Sequence, residues 1–292
     1  MAVGDTITQS LADSLPTIVA SARQTREFEG VVPNLVDKVT LSEGTGTSWR
    51  EVTMAQLTAQ TVTETTRLDN PQQMSDTLLT ITPTVVAIQT LITDRVASRI
   101  SSVAYAKVGN LAQNAIQRKK DEDGLTVLDG ATNELAGTGT TLTSGHIAAA
   151  GHRITSNATE PGNEPIRAVL HGFQIKDLYD EITAGVGTYN LQEGPTARVF
   201  AEKYQGMIAN VQIYEDGNIT IDSTTDDAKG GVFAQEAIIL VQGISPHTET
   251  RREPHSGGGA TSVFLYDEYA YGERSAGNWL YEIFSDATSP TS

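Results

Sequence analysis

The chain contains no cysteine, few aromatic residues and no long hydrophobic run. Without cysteine it has no disulfide, no thiolate metal ligand and no cysteine nucleophile. Its longest apolar run, residues 237–241, is far too short to cross a bilayer, which takes about 20 residues. The first ten residues lack the basic segment and apolar stretch of a secretory signal. We therefore expect a soluble protein that does not contact membranes.

Positive charge is also scarce. The chain has 36 acidic and 20 basic residues, which gives a formal net charge of -16 at pH 7. A surface of this sign does not favour binding to nucleic acid or anionic lipid. The acid excess is equally typical of a salty habitat and of an ordinary soluble surface. With 38% hydrophobic residues in 292, the chain can bury the core of one large domain or two smaller ones.

Residues 93–124 predict the longest helix of the chain. Thr93 is suited to cap its start and Gly124 to close its end. The 30 residues between them span about 45 Å at 1.5 Å per residue. Apolar residues at helical spacing draw one stripe along it, so we expect one packed side and one open side. The predicted core of this helix comprises Val96, Ile100, Val103 and Leu111.

Residues 49–66 and 77–91 favour β-structure, because threonine and other β-branched residues are frequent in both segments. Turn residues, Asp69, Asn70 and Pro71, lie between them. The pattern predicts a long two-stranded ribbon with its tip near Asn70. An isolated ribbon is only marginally stable in water, so this one needs another surface to lie on.

The rest of the chain predicts an N-terminal arm, a central α/β region and a β-rich end. The arm, residues 1–13, is followed by a short helix at 15–29 and strand-like sequence at 35–41. The central region has strands at 166–170 and 207–214, with helices at 144–154, 172–183 and after Pro195. The end has strands at 235–243, 261–271 and 279–284, of which the last two are expected to form a hairpin. Residues 251–260 are expected to form a mobile loop.

No motif for nucleotide binding or hydrolysis is present. His146 and His152 are six residues apart, which places them on different helical faces, and both are interpreted as surface histidines. His171 follows a strand and precedes a helix. A catalytic base can occupy such a place, but the sequence offers it no partner, so a structural role is favoured.

Two acidic segments are candidate binding sites. Residues 121–124 resemble the start of a calcium loop, but the remaining ligand positions do not follow, so solvated acids at a helix end are favoured. Asp226 and Asp227 are interpreted as loop charge. The sequence therefore predicts no catalytic residue, no metal site and no cofactor.

The order of these segments is similar to that of the tailed-phage major capsid protein with the Hong Kong 97-type fold. LLTITPTVVAIQTLITD resembles the returning strand of that family's extended loop as it enters the spine helix. GNLAQNAIQRKKDEDGLTVLDGA resembles the end of that helix. FAQEAIILVQGISPHTETRREP and TSVFLYDEYAYGER resemble strands of its peripheral domain. The resemblance covers nearly the whole chain, and the order of the motifs is more specific than any one of them.

The resemblance implies an α+β fold in six regions. They are an N-terminal arm and short helix (1–30), a peripheral entry strand (31–46), an extended loop (47–91), the spine helix (92–124), an axial domain (125–240) and peripheral closing strands (241–292). It implies a structural protein, not an enzyme, that assembles as hexamers and pentamers into an icosahedral shell. The shell would enclose DNA without specific binding. A portal protein and, where present, scaffolding or decoration proteins are the implied partners, and the implied location is the virion after assembly in the host cytoplasm.

The resemblance also implies two contact regions. Residues at the tip of the extended loop are expected to touch a neighbouring subunit, and a peripheral loop is expected to lie between capsomers. The tip residues are Arg67, Leu68, Asp69, Asn70 and Pro71, and the peripheral residues are Arg251, Arg252 and Glu253. Lys119 and Lys120 are expected to be engaged at the end of the spine helix.

Two departures from the family bear on assembly. The arm begins close to Met1, so we expect a separate scaffolding protein or none in place of a cleaved N-terminal extension. No lysine occurs between Trp49 and Leu91, so we do not expect the loop-borne isopeptide crosslink that some members form.

Two other functions stay open. An encapsulin-type compartment shares the fold and holds enzymes, and its gene would neighbour a cargo enzyme instead of a terminase and portal. An α/β enzyme built on residues 166–214 belongs to a different class. It would reveal itself by binding or converting a small molecule.

Overall fold

The structure is a computed structural model that describes residues 5–6, 28–44, 46–65, 67, 71–99, 102–186, 206–256, 258–275 and 277–291, with side chains for all but 5–6, 102–108 and 182–186. Its helices are α1 (Val32–Leu35), α2 (Asp94–Ala97), α3 (Ser102–Asp129), α4 (Ser144–Thr155) and α5 (Gly172–Val186). Its strands to the middle of the chain are β1 (Asp5–Thr6), β2 (Asp37–Thr40), β3 (Trp49–Met54), β4 (Asp76–Ile81), β5 (Thr84–Thr93), β6 (Glu134–Ala136) and β7 (Ile166–Leu170). The later strands are β8 (Met207–Ile208), β9 (Val211–Glu215), β10 (Asp227–Ala234), β11 (Ile238–Gln242), β12 (His247–Glu253), β13 (Ala260–Glu273) and β14 (Leu280–Asp286).

The first sheet is built around the long strand β13. Its order is β1-β5-β13-β11-β2, and β12 also pairs with β13. Strand β11 lies between β13 and β2, and its Ile238–Val241 side chains are almost fully buried. A strand covered on both faces is expected to read as a continuous apolar run. This explains the unbroken IILV sequence. The predicted strand at 235–243 is confirmed for residues 238–242, whereas residues 235–237 form a short 3-10 helix.

The second sheet has the order β6-β14-β10-β7-β9-β8. Strands β7 and β9 run parallel, as their separation by α5 requires. Helix α4 turns Ile147, Ala150 and Ile154 into the core at helical spacing. Gln174 of α5 is completely buried and donates hydrogen bonds to Ala228 O and Ser285 Oγ, so this polar side chain joins the helix to the sheet.

The predicted ribbon exists but is shorter than expected. Strands β3 and β4 pair antiparallel as a separate two-stranded sheet. The second predicted segment divides at Thr82 and Pro83, after which β5 leaves the ribbon and pairs with β13. Proline lacks the N–H that continued pairing requires, which explains the division there.

The spine helix starts where predicted, but it is interrupted and it ends later than predicted. The structure divides it into α2 and α3. Thr93 does cap the start, since its hydroxyl accepts a hydrogen bond from the Val96 N–H at 3.4 Å. Gly124 does not end the helix, which continues to Asp129. A Cβ on Gly124 would lie 2.6 Å from Val32 Cγ1, so the glycine is there to let α1 approach α3.

The predicted helix core is partly right. Val96 is buried, but Leu111 is 40% exposed, so its assignment to the core is wrong. Ile116, Leu125 and Leu128 continue the buried stripe toward the C-terminal end of α3 instead. Ile100 and the side chain of Val103 lie outside the described residues. The predicted helices at 15–29 and after Pro195 also fall outside them, apart from residues 28–29, which are not helical.

The predicted hairpin between residues 261–271 and 279–284 is wrong. Strand β14 pairs antiparallel with β10 and parallel with β6 in the second sheet. Its Leu280, Tyr281 and Ile283 are buried. Strand β14 is an inner strand with a neighbour on each side, which an edge strand lacks. Residues 241–292 therefore contribute to both sheets, and the other predicted domain limits stay predictions.

Gly124 generates a test of the contact between α1 and α3. We expect Gly124→Ala to lower the free energy of unfolding by about 1–3 kcal/mol, because the new methyl group overlaps Val32 in a packed core. Gly109→Ala is the matched control, since a Cβ there meets nothing within 4 Å. It should stabilise the same helix by about 0.5–1 kcal/mol. Urea midpoints of dissociated chains measure both effects, and equal shifts would contradict the close approach.

Candidate assembly surfaces

One face of the ribbon packs on its own chain. Trp49 and Leu79 pack against the buried cluster of Ile81, Ile239 and Val241 in the first sheet. These ribbon residues share a face because Trp49 pairs with Ile81 and Glu51 pairs with Leu79. This face holds the base of the ribbon against the first sheet.

The opposite face of the ribbon is apolar and exposed. Val52 and Leu78 lie directly across from each other and are 53% and 55% exposed. Met54, on the same face, is 68% exposed. The connection between the strands adds further exposed apolar side chains, namely Leu57, Val62 and Met74. Exposed apolar side chains grouped on one strand pair in this way are typical of interaction sites.

This surface also carries little net charge, because the two charged residues of the same face, Arg50 and Asp76, are of opposite sign. Residues 52–63 and 77–93 contain no acidic or basic side chain, although the whole chain carries a net charge of -16. Copies of so acidic a protein repel one another over most of their surface. The ribbon is therefore a region where a second copy can approach with little repulsion and cover apolar side chains.

Arg274 anchors the base of the ribbon. Its Nε donates to Glu51 Oε2 at 2.7 Å, and its NH1 donates to Asp37 Oδ2 at 2.7 Å. Its guanidinium also lies 5.6 Å from the centre of the Trp49 ring. One side chain thus ties β3 to β2 and to the turn that follows β13. The planar guanidinium suits this forked arrangement, which a lysine cannot reproduce.

The predicted peripheral contact residues are in a strand, not in a mobile loop. Arg251, Arg252 and Glu253 lie in β12, which pairs with β13 along its whole length. Arg252 forms a forked ion pair with Asp94 at the start of α2, and its hydrogen bonds lower the pKa of Asp94. Arg252 is therefore already paired within the chain. The Arg251 side chain is 74% exposed and pairs with Glu253 at 3.2 Å, so its role between capsomers stays a prediction.

The predicted tip of the extended loop is described only in part. Arg67 and Pro71 are exposed. Leu68, Asp69 and Asn70 lie outside the described residues. The contact of this tip with a neighbouring subunit therefore stays a prediction.

His171 and His146 form hydrogen bonds that stabilise the local structure. The Nδ1 atom of His171 accepts from the Phe173 N–H at 3.2 Å, and its backbone N–H donates to Gln174 Oε1. Burial lowers the pKa of His171. The Nδ1 atom of His146 accepts from the Thr143 N–H at 3.3 Å, which makes Thr143 the cap of α4. Within the described ranges, no three metal-ligating side chains are grouped to hold an ion. The helices described there also include none with the length and apolar character of a membrane span.

Two of the three acids in residues 121–124 are engaged within the fold, which corrects the prediction, whereas Glu122 is exposed as expected. Asp121 is completely buried and accepts hydrogen bonds from the Val32 N–H at 3.0 Å and from Asn218 Nδ2 at 2.9 Å. Asp123 accepts from the Tyr269 hydroxyl at 2.8 Å. The sequence did contain a signal, because Asp121 lies on the apolar stripe when that stripe is continued from Ile116 to Leu128.

Two further predictions about charge are wrong. Asp227 is not loop charge, because it is buried at the start of β10 and accepts from the Gly139 N–H at 2.9 Å. Lys119 and Lys120 do not lie at a helix end, since α3 continues to Asp129. Lys119 pairs with Asp123, one turn further along the helix. Lys120 reaches across to the first sheet, where it donates to Asp267 at 3.0 Å and to Gln242 at 2.6 Å.

The anchor at Arg274 can be tested directly. We expect Arg274→Lys to weaken the ribbon base by about 1 kcal/mol, since the forked contacts to two carboxylates are lost. Local opening should rise roughly fivefold, and limited proteolysis within residues 55–75 should accelerate by that factor. Arg251→Lys is the control because its side chain is largely exposed. Equal cleavage rates in the two variants would contradict the anchor.

Structural comparison shows what the chain is similar to. The cyanophage Pam1 capsid matches with a TM-score of 0.72 and 11% identity, over 99% of this chain and 100% of that chain. The capsid of cyanophage P-SCSP1u matches with a TM-score of 0.71 and 13% identity, over 96% and 95%. A structure from Mycobacterium phage Che8 matches with a TM-score of 0.70 and 17% identity, over 92% and 96%. No known protein family profile and no curated protein matches the sequence. The predicted α+β capsid fold is confirmed.

Proposed function

We propose that this chain is a major capsid protein, a structural protein whose copies assemble as hexamers and pentamers into the icosahedral shell of a tailed phage or virus. The observation that carries the proposal is the match in fold to phage capsid chains from one end to the other. The low identities leave the function to be tested on this chain. The phage origin of the matched structures favours this function over the encapsulin-type alternative.

The ribbon is the element that the proposal assigns to contact between copies. One face packs on the first sheet, and the other presents Val52, Met54 and Leu78 to solvent. Covering a large apolar side chain fully contributes about 1.5–3 kcal/mol. A single such contact is weak, but a closed shell repeats it in every copy and the contacts act together.

The acidic composition agrees with enclosure of DNA. A wall with a net charge of -16 per chain repels the phosphate backbone, so packaged DNA can move past it without being bound. A portal protein is a further partner in this proposal, as are scaffolding or decoration proteins where present. The proposed location is the virion, after assembly in the host cytoplasm.

The ribbon face provides the test of this function. Purified wild-type chain should sediment as large particles that appear as closed shells in negative stain. We expect Leu78→Asp to abolish these particles, because a charge in the covered apolar contact would lack a partner. The unfolding free energy of the variant chain should stay within about 0.5 kcal/mol, since Leu78 is exposed within the chain.

Thr77→Asp is the matched control for that variant. Thr77 is the neighbouring exposed residue on the same strand, and its side chain points to the other face of the ribbon. The Thr77→Asp variant has a similar cost of placing aspartate in a strand, but the aspartate lies outside the proposed contact. This variant should therefore assemble. Normal shells from Leu78→Asp, or small species from wild-type chain under all assembly conditions, would count against the proposal.

The proposed shell is held without covalent links between chains. The chain has no cysteine and no lysine between Trp49 and Leu91, so no disulfide can form and the ribbon supplies no amine for an isopeptide bond. Particles heated in detergent without a reductant should therefore run as one band at 31.2 kDa. A ladder of dimers and larger species on that gel would show that covalent crosslinks exist.

A further inference from the structure

Two buried carboxyl groups lie together where three parts of the chain meet. Asp121 belongs to α3, and Asp216 follows β9 in the second sheet. Both side chains are completely buried. Asn218 bridges them, because its backbone N–H donates to Asp216 Oδ1 at 2.9 Å and its side-chain amide donates to Asp121 Oδ2 at 2.9 Å. The bridge places the two carboxyl groups within reach of a single residue.

The N-terminal connection, residues 28–32, lies across this pair. The Val31 N–H donates to Asp216 Oδ2 at 3.3 Å, and the Val32 N–H donates to Asp121 Oδ1 at 3.0 Å. A Cβ on Gly30 would lie 2.0 Å from the Asp121 carboxyl carbon, so the backbone rests directly on that group. Each of the four carboxyl oxygens accepts one hydrogen bond. We name this arrangement the carboxyl clasp, comprising Asp121, Asp216, Asn218 and the amides of Val31 and Val32.

The surroundings of the clasp disfavour a negative charge on both carboxyl groups at once. Asp121 is the charged group that acts on Asp216, and the Tyr271 hydroxyl of β13 faces Asp121. Residues 30–35 of the N-terminal connection and α1 carry no ionisable side chain. Burial, reinforced by the charge of Asp121, raises the pKa of Asp216 to about 7. Near neutral pH and below, the pair therefore holds a proton that a solvated pair would have lost.

We propose that the carboxyl clasp is a proton-controlled latch, which holds the N-terminal connection against α3 and the second sheet when protonated and loosens when the proton leaves. Loss of the proton leaves two buried carboxylates side by side, and the amides of Val31 and Val32 bind both of them. Opening the clasp lets water reach the charges, at the expense of those two hydrogen bonds. The latch is a property of the single chain. In the shell proposed above, it would regulate how the N-terminal arm is held.

The direction of the pH effect follows from the pKa. The folded chain binds a proton that the unfolded chain has lost between the ordinary pKa of 3.8 and about 7. Stability from this group therefore falls as the pH rises through that window, and it is lowest above pH 7. The folding equilibrium constant can change by at most about a thousandfold from this cause. The clasp can also open locally without global unfolding, and the equilibrium constant for that opening can change by up to the same factor.

Hydrogen exchange of the full-length chain tests the latch. We would measure the protection of the peptide covering residues 28–35 at pH 5, 6, 7 and 8, after correction for the intrinsic exchange rate. In the wild type, protection of this peptide should fall at least about tenfold from pH 5 to pH 8. A peptide covering Ile238–Gln242 of β11 exchanges through global unfolding and shows how much of the fall the whole fold shares. Residues 28–35 should be less protected than this peptide at every pH, because the clasp opens locally.

Asp216→Asn is the variant that should remove the pH dependence. Its amide oxygen can still accept from the Asn218 N–H, but its NH₂ group cannot accept from the Val31 N–H as Asp216 Oδ2 does, so its protection should lie below that of the wild type at pH 5. Position 216 then has no proton to lose. Its protection profile should therefore be flat between pH 5 and pH 8. Glu29→Gln is the matched control, because Glu29 is an exposed carboxyl group in the same connection. It should keep the wild-type fall in protection.

Two results would overturn the latch. The first is wild-type protection of residues 28–35 that does not change with pH, which counts even if Asp216→Asn does not fold. The second is an equal fall in the wild type and in Asp216→Asn. Neither result depends on particle formation, because the exchange is read on one segment of one chain. A chain that forms no shells would therefore count against the proposed function and leave the outcome for the latch unaffected.

Discussion

The β3–β4 ribbon combines two faces that place different demands on the chain. Trp49 and Leu79 pack on the first sheet, whereas Val52 and Leu78 stay in solvent. A two-stranded ribbon has too few contacts to be stable alone, so this one depends on Arg274 at its base and, in the proposed shell, on cover from a second copy. Its exposed face carries little net charge within a strongly acidic chain, so a second copy meets the least electrostatic repulsion there.

Helix α3 joins the two sheets and the N-terminal connection. Lys120 reaches Asp267 in the first sheet, and Leu128 packs so closely on Gly231 of the second sheet that a Cβ there would lie 3.0 Å away. Between them, Asp121 holds the N-terminal connection. The helix is thus packed or hydrogen bonded to three separate parts of the chain. A movement of α3 would therefore change the packing of both sheets at once, and Asp121 is the buried acid on α3 that the proposed latch uses.

Local patterns in the sequence were enough for much of the fold. The Thr93 cap, the buried strand β11 and the existence of a ribbon follow from neighbouring residues, and the structure confirms them. Contacts between distant residues explain what was missed. Gly124 looked like a helix end because Val32, which it accommodates, is far away in the sequence. Asp121 looked solvated because its partner Asn218 is 97 residues away. Strand β14 pairs with β10 and β6, which are distant in the sequence, instead of with the preceding strand β13.

A cryo-electron microscopy map of purified particles tests the central claim most directly, because it locates the exposed face of the ribbon in the assembled state. The account predicts a closed shell in which the Val52 and Leu78 side chains of each copy are covered by an adjacent copy. Shells in which that face remains in solvent, with contacts made elsewhere, would contradict the role of the ribbon. The absence of shells would contradict the proposed function itself.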